Sequence, residues 1–213
     1  MIKQRFLRCG VIAVGLAAWF WTQSLIGQRP PVAGVIGDGI HELTAPLNQA
    51  LRDHPAAANA LLIVSSAIVD ALAVFLLVTT IFGQSIRPFL GLLLLFAMRQ
   101  VCQALCSLPP PTGMIWHNPG FPSLLVTYGV SNDLFFSGHT ALAVYGSIEL
   151  SRAGKTPVKV LAMLLALFEV ATVLVLRAHY TMDVVAGALA AFVAAGLARR
   201  FAPHCDAALA RFT

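Results

Sequence analysis

The residues of this chain that could do chemistry gather in two short segments. One reads Asp133-Leu134-Phe135-Phe136-Ser137-Gly138-His139-Thr140 and the other Arg177-Ala178-His179-Tyr180-Thr181-Met182-Asp183, each at the start of an apolar run. His179 and Asp183 are four residues apart, so on a helix they share a face, and the carboxylate can accept a hydrogen bond from one imidazole nitrogen. The other nitrogen then presents its lone pair, as a nucleophile must. Ser137-Gly138-His139-Thr140 supplies the complementary half: a helix N-terminus with free N–H groups, a glycine that lets a ligand approach the backbone, and two hydroxyls, which together favour an anion. His139 can protonate a departing alkoxide. A nucleophilic imidazole, a general acid and an anion-binding corner point to phosphoryl transfer through a phosphohistidine. A metal site from His139, His179, Asp183 and Asp133 is the competing use of the same residue types. The helical pair is only half of such a site, so no metal and no other cofactor is expected.

The elements that must position these residues are membrane helices. Of the 213 residues, 58% are hydrophobic and only 11% charged, against about 45 to 50% and about 25% in a soluble domain, and the mean hydropathy is +0.81. This excludes a soluble globular protein and, with it, disorder and coiled coil. Long uncharged runs predict six transmembrane helices, near residues 9–27, 58–83, 88–107, 136–151, 158–176 and 182–200, in one membrane domain spanning 1–213. The basic opening, Lys3, Arg5 and Arg8 before an apolar stretch that continues to Gln28, also has the form of a signal peptide. It lacks a small-x-small cleavage site and reads as a retained first helix.

The 14 Lys and Arg residues are scattered in ones to threes around the apolar runs, which argues for orientation signals and against nucleic acid. Lys3, Arg5, Arg8, Arg87, Arg152, Lys155, Lys159, Arg199, Arg200 and Arg211 fall on one side and only Arg29, Arg52 and Arg177 on the other, with Arg99 inside the third helix. Both termini are therefore expected in the cytoplasm and both histidine segments on the opposite face. On that face residues 28–57 place Ile40, Leu43 and Leu47 at helical spacing, the pattern of a short interfacial helix. Residues 108–135, with Pro109-Pro110-Pro111, Pro119 and Pro122 and no Lys or Arg, form a stiff lid. Cys102 and Cys106 lie one helical turn apart, and the four cysteines make no disulfide framework or zinc site.

Asp70, Arg99 and Glu169 sit inside apolar helices, where each would cost about 2.5 to 3.5 kcal/mol facing lipid. They must face the bundle, with Arg99 bridging to Asp70 or Glu169, or with Arg99 and Glu169 meeting substrate. Arg177 reads as a contact to lipid phosphate or an interfacial anchor. Trp19, Trp21, Trp116 and Tyr128 read as packing or interfacial residues, and Phe135-Phe136 as an acyl-chain entrance.

Ser137-Gly138-His139 together with His179-x3-Asp183 resembles the second and third motifs of the type 2 phosphatidic acid phosphatase (PAP2) superfamily, a six-helix membrane fold. The longer strings Asn132 to Thr140 and His179 to Val184 look like the sphingomyelin synthase branch and the phosphatidylcholine:diacylglycerol cholinephosphotransferases, and Arg99 to Pro109 is similar to the segment before the lid there. The resemblance covers roughly residues 95–190. It implies His179 as nucleophile, Asp183 as its orienting carboxylate and His139 as acid and then base. Asp133 stands where that branch has an acidic residue, which implies headgroup contact or support; the remaining expected substrate contacts, read from the residues themselves, are Ser137, Gly138, Thr140, Tyr180, Arg99, Arg177 and Glu169.

Two departures bear on substrate. Thr80 stands where the phosphatases place a lysine seven residues before Arg87-Pro88, and Thr172-Val173 where they have Ser-Arg. A phosphate monoester carries nearly two charges and calls for such cations; a diester carries one and needs fewer. The expected reaction is therefore transfer of a phospho-alcohol headgroup, phosphocholine or phosphoethanolamine, from a glycerophospholipid donor to a lipid alcohol, diacylglycerol or ceramide. A lipid phosphatase or phospholipase C-type hydrolase is the alternative within enzymes, and a non-catalytic scaffold or lipid transporter the alternative outside them. The expected location is a bacterial inner membrane with a periplasmic site, or a lumenal site in a eukaryote.

Overall fold

In the computed structural model of the protein, residues 2–28, 36–128 and 134–211 are described. The apolar runs fold as helices α1 (Ile2–Gly27), α4 (Pro55–Phe82), α5 (Arg87–Leu105), α6 (Gly138–Ala153), α7 (Thr156–Val175) and α8 (Thr181–Ala210). Two short helices, α2 (Gly39–Leu43) and α3 (Ala45–Asp53), precede α4. Proline stands in the first turn of α3, α4, α5 and α7, where its missing N–H has no intrahelical partner to lose.

Among the described residues the fold is all-helical, and five helices, α1, α4, α5, α7 and α8, are long and apolar enough to cross a membrane. The run expected as a sixth span, α6, has 16 residues, about 24 Å at 1.5 Å per residue against a hydrocarbon core of about 30 Å. It carries buried Tyr145, Ser147 and Glu149, which it can do because α4, α5, α7 and α8 pack around it. A helix sheathed in protein need not be as apolar as one facing lipid. Small residues allow the close approach: Gly146 packs on Leu72 of α4, and α8 buries Ala190, Ala191, Ala194, Ala195 and Ala198.

Helix limits depart from the apolar runs where charge, which marks the lipid boundary, does not end a helix. α1 begins at Ile2 and not near residue 9, and α8 continues through Pro203 to Ala210 and does not stop near 200. The helix expected over Ile40 to Leu47 is two helices broken at Thr44.

Polar contacts define the two ends of the bundle. At one end Arg8 donates to the Thr80 carbonyl (3.1 Å), Asp206 accepts from Ser85 Oγ (2.6 Å) and the Ile86 amide (2.8 Å), and Arg87 pairs with Glu149 (2.8 Å), which also pairs with Arg152. The start of α1 and the end of α8 thus lie together, while the starts of α6 and α8 meet at the other end, where the Ser137 amide donates to the Asp183 carbonyl (3.1 Å).

The expected bridge from Arg99 to Asp70 or Glu169 does not form. Arg99 Nη1 donates to Gln23 Oε1 of α1 (2.7 Å); Asp70 accepts from the Leu124 and Leu125 amides (2.8 and 3.1 Å), and Glu169 accepts from Ser65 Oγ (2.7 Å). Each charge is met by a polar partner on its own face of the bundle, an acceptor for Arg99 and donors for Asp70 and Glu169, and Asp70 holds the lid.

Candidate active site

Ser137 caps α6, its hydroxyl accepting from the Thr140 amide (3.3 Å) and donating to Thr140 Oγ1 (3.0 Å). Just before it, Phe136 takes a left-handed backbone (φ 83°), a conformation costing about 1–3 kcal/mol for a non-glycine residue. The turn drives the Phe136 ring into the core at 2% exposure, so of the expected acyl-chain entrance only Phe135 stays near the surface. Gly138 lies against Arg99: a Cβ there would sit 3.0 Å from Nε.

At the start of α8 the geometry differs from the expected helical pair, because His179 stands two residues before the helix's first residue, Thr181, and only Asp183 lies on it. His179 Nδ1 stands 3.8 Å from Asp183 Oδ2, beyond hydrogen-bond range, and bonds instead to the Leu134 carbonyl (2.9 Å). A carbonyl can only accept, so Nδ1 carries the proton and Nε2 keeps the lone pair. Asp183 uses Oδ2 to accept from the Tyr180 amide (2.9 Å), which closes a capping box at the start of α8. It is fully buried and leaves Oδ1 without a partner among the described residues.

His139 and His179, 8% and 7% exposed, line one cavity of about 50 Å³ with Arg99, Gly138, Trp19 and Trp116. The Trp116 ring meets His139 edge-on at 5.0 Å between centroids, and His139 Nε2 is buried without a hydrogen-bond partner among the described residues. Arg99 is the one Lys or Arg among the described residues that lines this cavity. The structure therefore brings together His139, His179, Gly138 and Arg99, with Asp183 directly behind His179.

Other expected contacts lie elsewhere. Ser137 and Thr140 are fully buried and satisfy one another, Tyr180 donates its hydroxyl to the Pro109 carbonyl (3.0 Å), and Glu169 is enclosed between α4 and α7. Arg177, also left-handed (φ 52°), donates to the carbonyls of Thr112 and His41. Asp133 lies outside the described residues. The structure adds residues that the motifs do not contain: Gln23 on Arg99, Trp116 on His139, and a group from residues 38–48. In that group Asp38 caps α2 and accepts from the Thr181 amide (2.6 Å) and hydroxyl (2.7 Å). Burial works against the Asp38 charge, but the Thr181 bonds and the His41 amide outweigh it and hold the carboxyl below its ordinary range. An Asp ahead of an apolar-periodic stretch is a legible cap signal; nothing in the sequence said that the same carboxylate would reach α8.

A model of the family described as AtPDCT1/2 matches residues 38–200. The chain belongs to the AtPDCT1/2 family. This is the sphingomyelin synthase-like side of the PAP2 superfamily to which the two histidine motifs pointed, and the AtPDCT1/2 match takes in both of them. Phosphatidylcholine:diacylglycerol cholinephosphotransferase 1 of Arabidopsis thaliana is 24% identical over 159 residues, 75% of this chain and 52% of that protein. The chain thus spans about half the length of the curated relative it matches. The crystal structure of Aquifex aeolicus LpxE superposes with a TM-score of 0.56 at 20% identity, covering 75% of this chain and 93% of that one. A likeness at that identity is one of fold.

Proposed function

We propose that this chain is an integral-membrane phosphotransferase that moves a phospho-alcohol headgroup, phosphocholine or phosphoethanolamine, from a glycerophospholipid to the hydroxyl of diacylglycerol or ceramide. His179 Nε2 attacks the phosphorus, forming a P–N bond as the P–O bond to the diacylglycerol oxygen breaks. His139 gives that oxygen its proton, and diacylglycerol leaves. His139, now neutral, takes the proton of the acceptor hydroxyl; its oxygen forms a new P–O bond, the P–N bond breaks, and the electron pair returns to Nε2. No metal or other cofactor enters the scheme.

The observation that carries this reading is the meeting of His139 and His179 at one cavity, with the His179 proton fixed on Nδ1 by the Leu134 carbonyl. Family membership and the cholinephosphotransferase relative support headgroup transfer. A single cation among the described residues lining the cavity, Arg99, suits a singly charged diester better than a dianionic monoester. The α6 N-terminus and Arg99 would hold the phosphate. We place both chain ends in the cytoplasm, the site on the opposite, periplasmic face of a bacterial inner membrane, and six helices across it, α6 within its sheath of neighbours.

The test is reconstitution in liposomes with a mixed phospholipid donor pool, fluorescent diacylglycerol, fluorescent ceramide and a chelator, with His179→Ala as control. A new fluorescent phospholipid, absent with the variant, is expected, and its identity names donor and acceptor. Free phosphate or phospho-alcohol without labelled phospholipid would make the protein a hydrolase and end the transferase reading.

A further inference from the structure

We propose that Asp38 and His41, on a segment that carries none of the motif residues, are positioning residues that fix the backbone on either side of His179. The inference rests on the reading of His179 as nucleophile. Four contacts converge on this turn. His41 Nε2 meets the His179 carbonyl at 3.0 Å, and because a carbonyl can only accept, the imidazole donates. The Asp38 carboxylate takes the Thr181 amide at 2.6 Å and its hydroxyl at 2.7 Å. Arg177, on the other flank, donates to the His41 carbonyl at 3.0 Å. The His41 ring also stacks on Tyr180 with 5.7 Å between centroids.

These bonds join residues more than 130 positions apart, and two of them fall on the main chain beside the imidazole, at the His179 carbonyl and the Thr181 amide. The same Asp38 carboxylate accepts from the Ile40 and His41 amides (3.0 and 3.2 Å), so one side chain caps α2 and the first residue of α8 together. Asn48 of α3, fully buried, extends the strap by donating to the carbonyls of Gly113 (3.2 Å) and Val175 (2.9 Å). Among the described residues, the His179 side chain has one fixed bond, from Nδ1 to Leu134. A rotation of the 179–181 backbone would swing Nε2 off the line of attack, and His41 and Asp38 block that rotation without touching the cavity.

The test uses the full chain in lipid nanodiscs, with Asp38→Ala, His41→Ala and His41→Gln. Removing either contact is expected to lower kcat by about 10²-fold, the scale of an ångström-sized misplacement of a reacting group, with KM changed less than about twofold. His41→Gln should recover much of the loss, since its amide N–H can reach the same carbonyl. Hydrogen exchange followed by mass spectrometry should rise over residues 176–184 in both alanine variants and stay unchanged in the second half of α8. A kcat within about twofold of wild type in both alanine variants, or exchange that rises equally in every helix, would overturn the proposal. An inactive wild type or an active His179→Ala variant would instead sink the nucleophile reading. Exchange over 176–184 would then still decide whether Asp38 and His41 fix the turn.

Discussion

The two histidines reach the cavity with different support, and the difference sets what each neighbour contributes. Where a carboxylate alone holds the proton on the far ring nitrogen, replacing it by an amide lets the wrong tautomer form, and the loss reaches about 10⁴-fold. Here the Leu134 carbonyl, 2.9 Å from Nδ1, holds the tautomer, and in the proposed mechanism Asp183 acts from 3.8 Å through its charge. Asp183→Asn should therefore lower kcat by about 10- to 100-fold and not 10⁴-fold, as steady-state kinetics on the reconstituted protein will show. A 10⁴-fold loss would mean that the carboxylate, not the carbonyl, fixes the ring. Asp183→Ala also removes the bond to the Tyr180 amide and should lower stability further, by about 1 kcal/mol. The sequence placed His179 and Asp183 on one helical face, but a main-chain carbonyl has no side chain by which to be read.

At the level of elements, the spacing that the proposed mechanism needs depends on how closely α8 approaches the start of α6. A Cβ at Gly187 would stand 2.6 Å from the Ser137 carbonyl oxygen, a backbone atom that cannot turn aside, whereas at Gly196 it would meet nothing within 4 Å. Gly187→Ala should force the two helices apart, at about 1–3 kcal/mol of stability and about 10²-fold in kcat. Gly196→Ala on the same helix should be neutral or stabilising by up to about 1 kcal/mol. Thermal unfolding in detergent and transfer kinetics on the two variants check the pair; equal behaviour would show that the close approach does not matter. In sequence both glycines stand in one Ala-rich stretch, and only the packed structure distinguishes the one that touches backbone. For the same reason the sequence places a helix near residues 136–151, of the same length as α6, but only the packed structure shows it enclosed by its neighbours.

For the whole molecule, the two ends of the bundle make opposite predictions about accessibility. The contacts of Arg8 with Thr80 and of Asp206 with Ser85 gather the chain ends at one end, far along α6 and α8 from His139 and His179. With the four cysteines replaced by alanine, a cysteine at exposed Lys155 should react with a membrane-impermeant maleimide only once the inner face is opened. One at exposed Asn118 should react in intact spheroplasts. The reverse pattern would invert the orientation proposed from the basic residues. Composition and hydropathy by themselves determined a helical membrane protein, because burying an apolar run in lipid depends on local sequence alone. The spacing of Ser137-Gly138-His139 and of His179 and Asp183 determined the chemistry worth looking for, because those residues are near neighbours along the chain. The tertiary structure alone decided that Arg99 would turn to Gln23 and not to Asp70 or Glu169. It alone decided that Leu134 would hold the His179 proton, and that Asp38 and His41 would clamp a turn more than 130 residues away. Such contacts follow from which helix ends meet when the bundle closes, a property of packing in three dimensions and not of any stretch of chain.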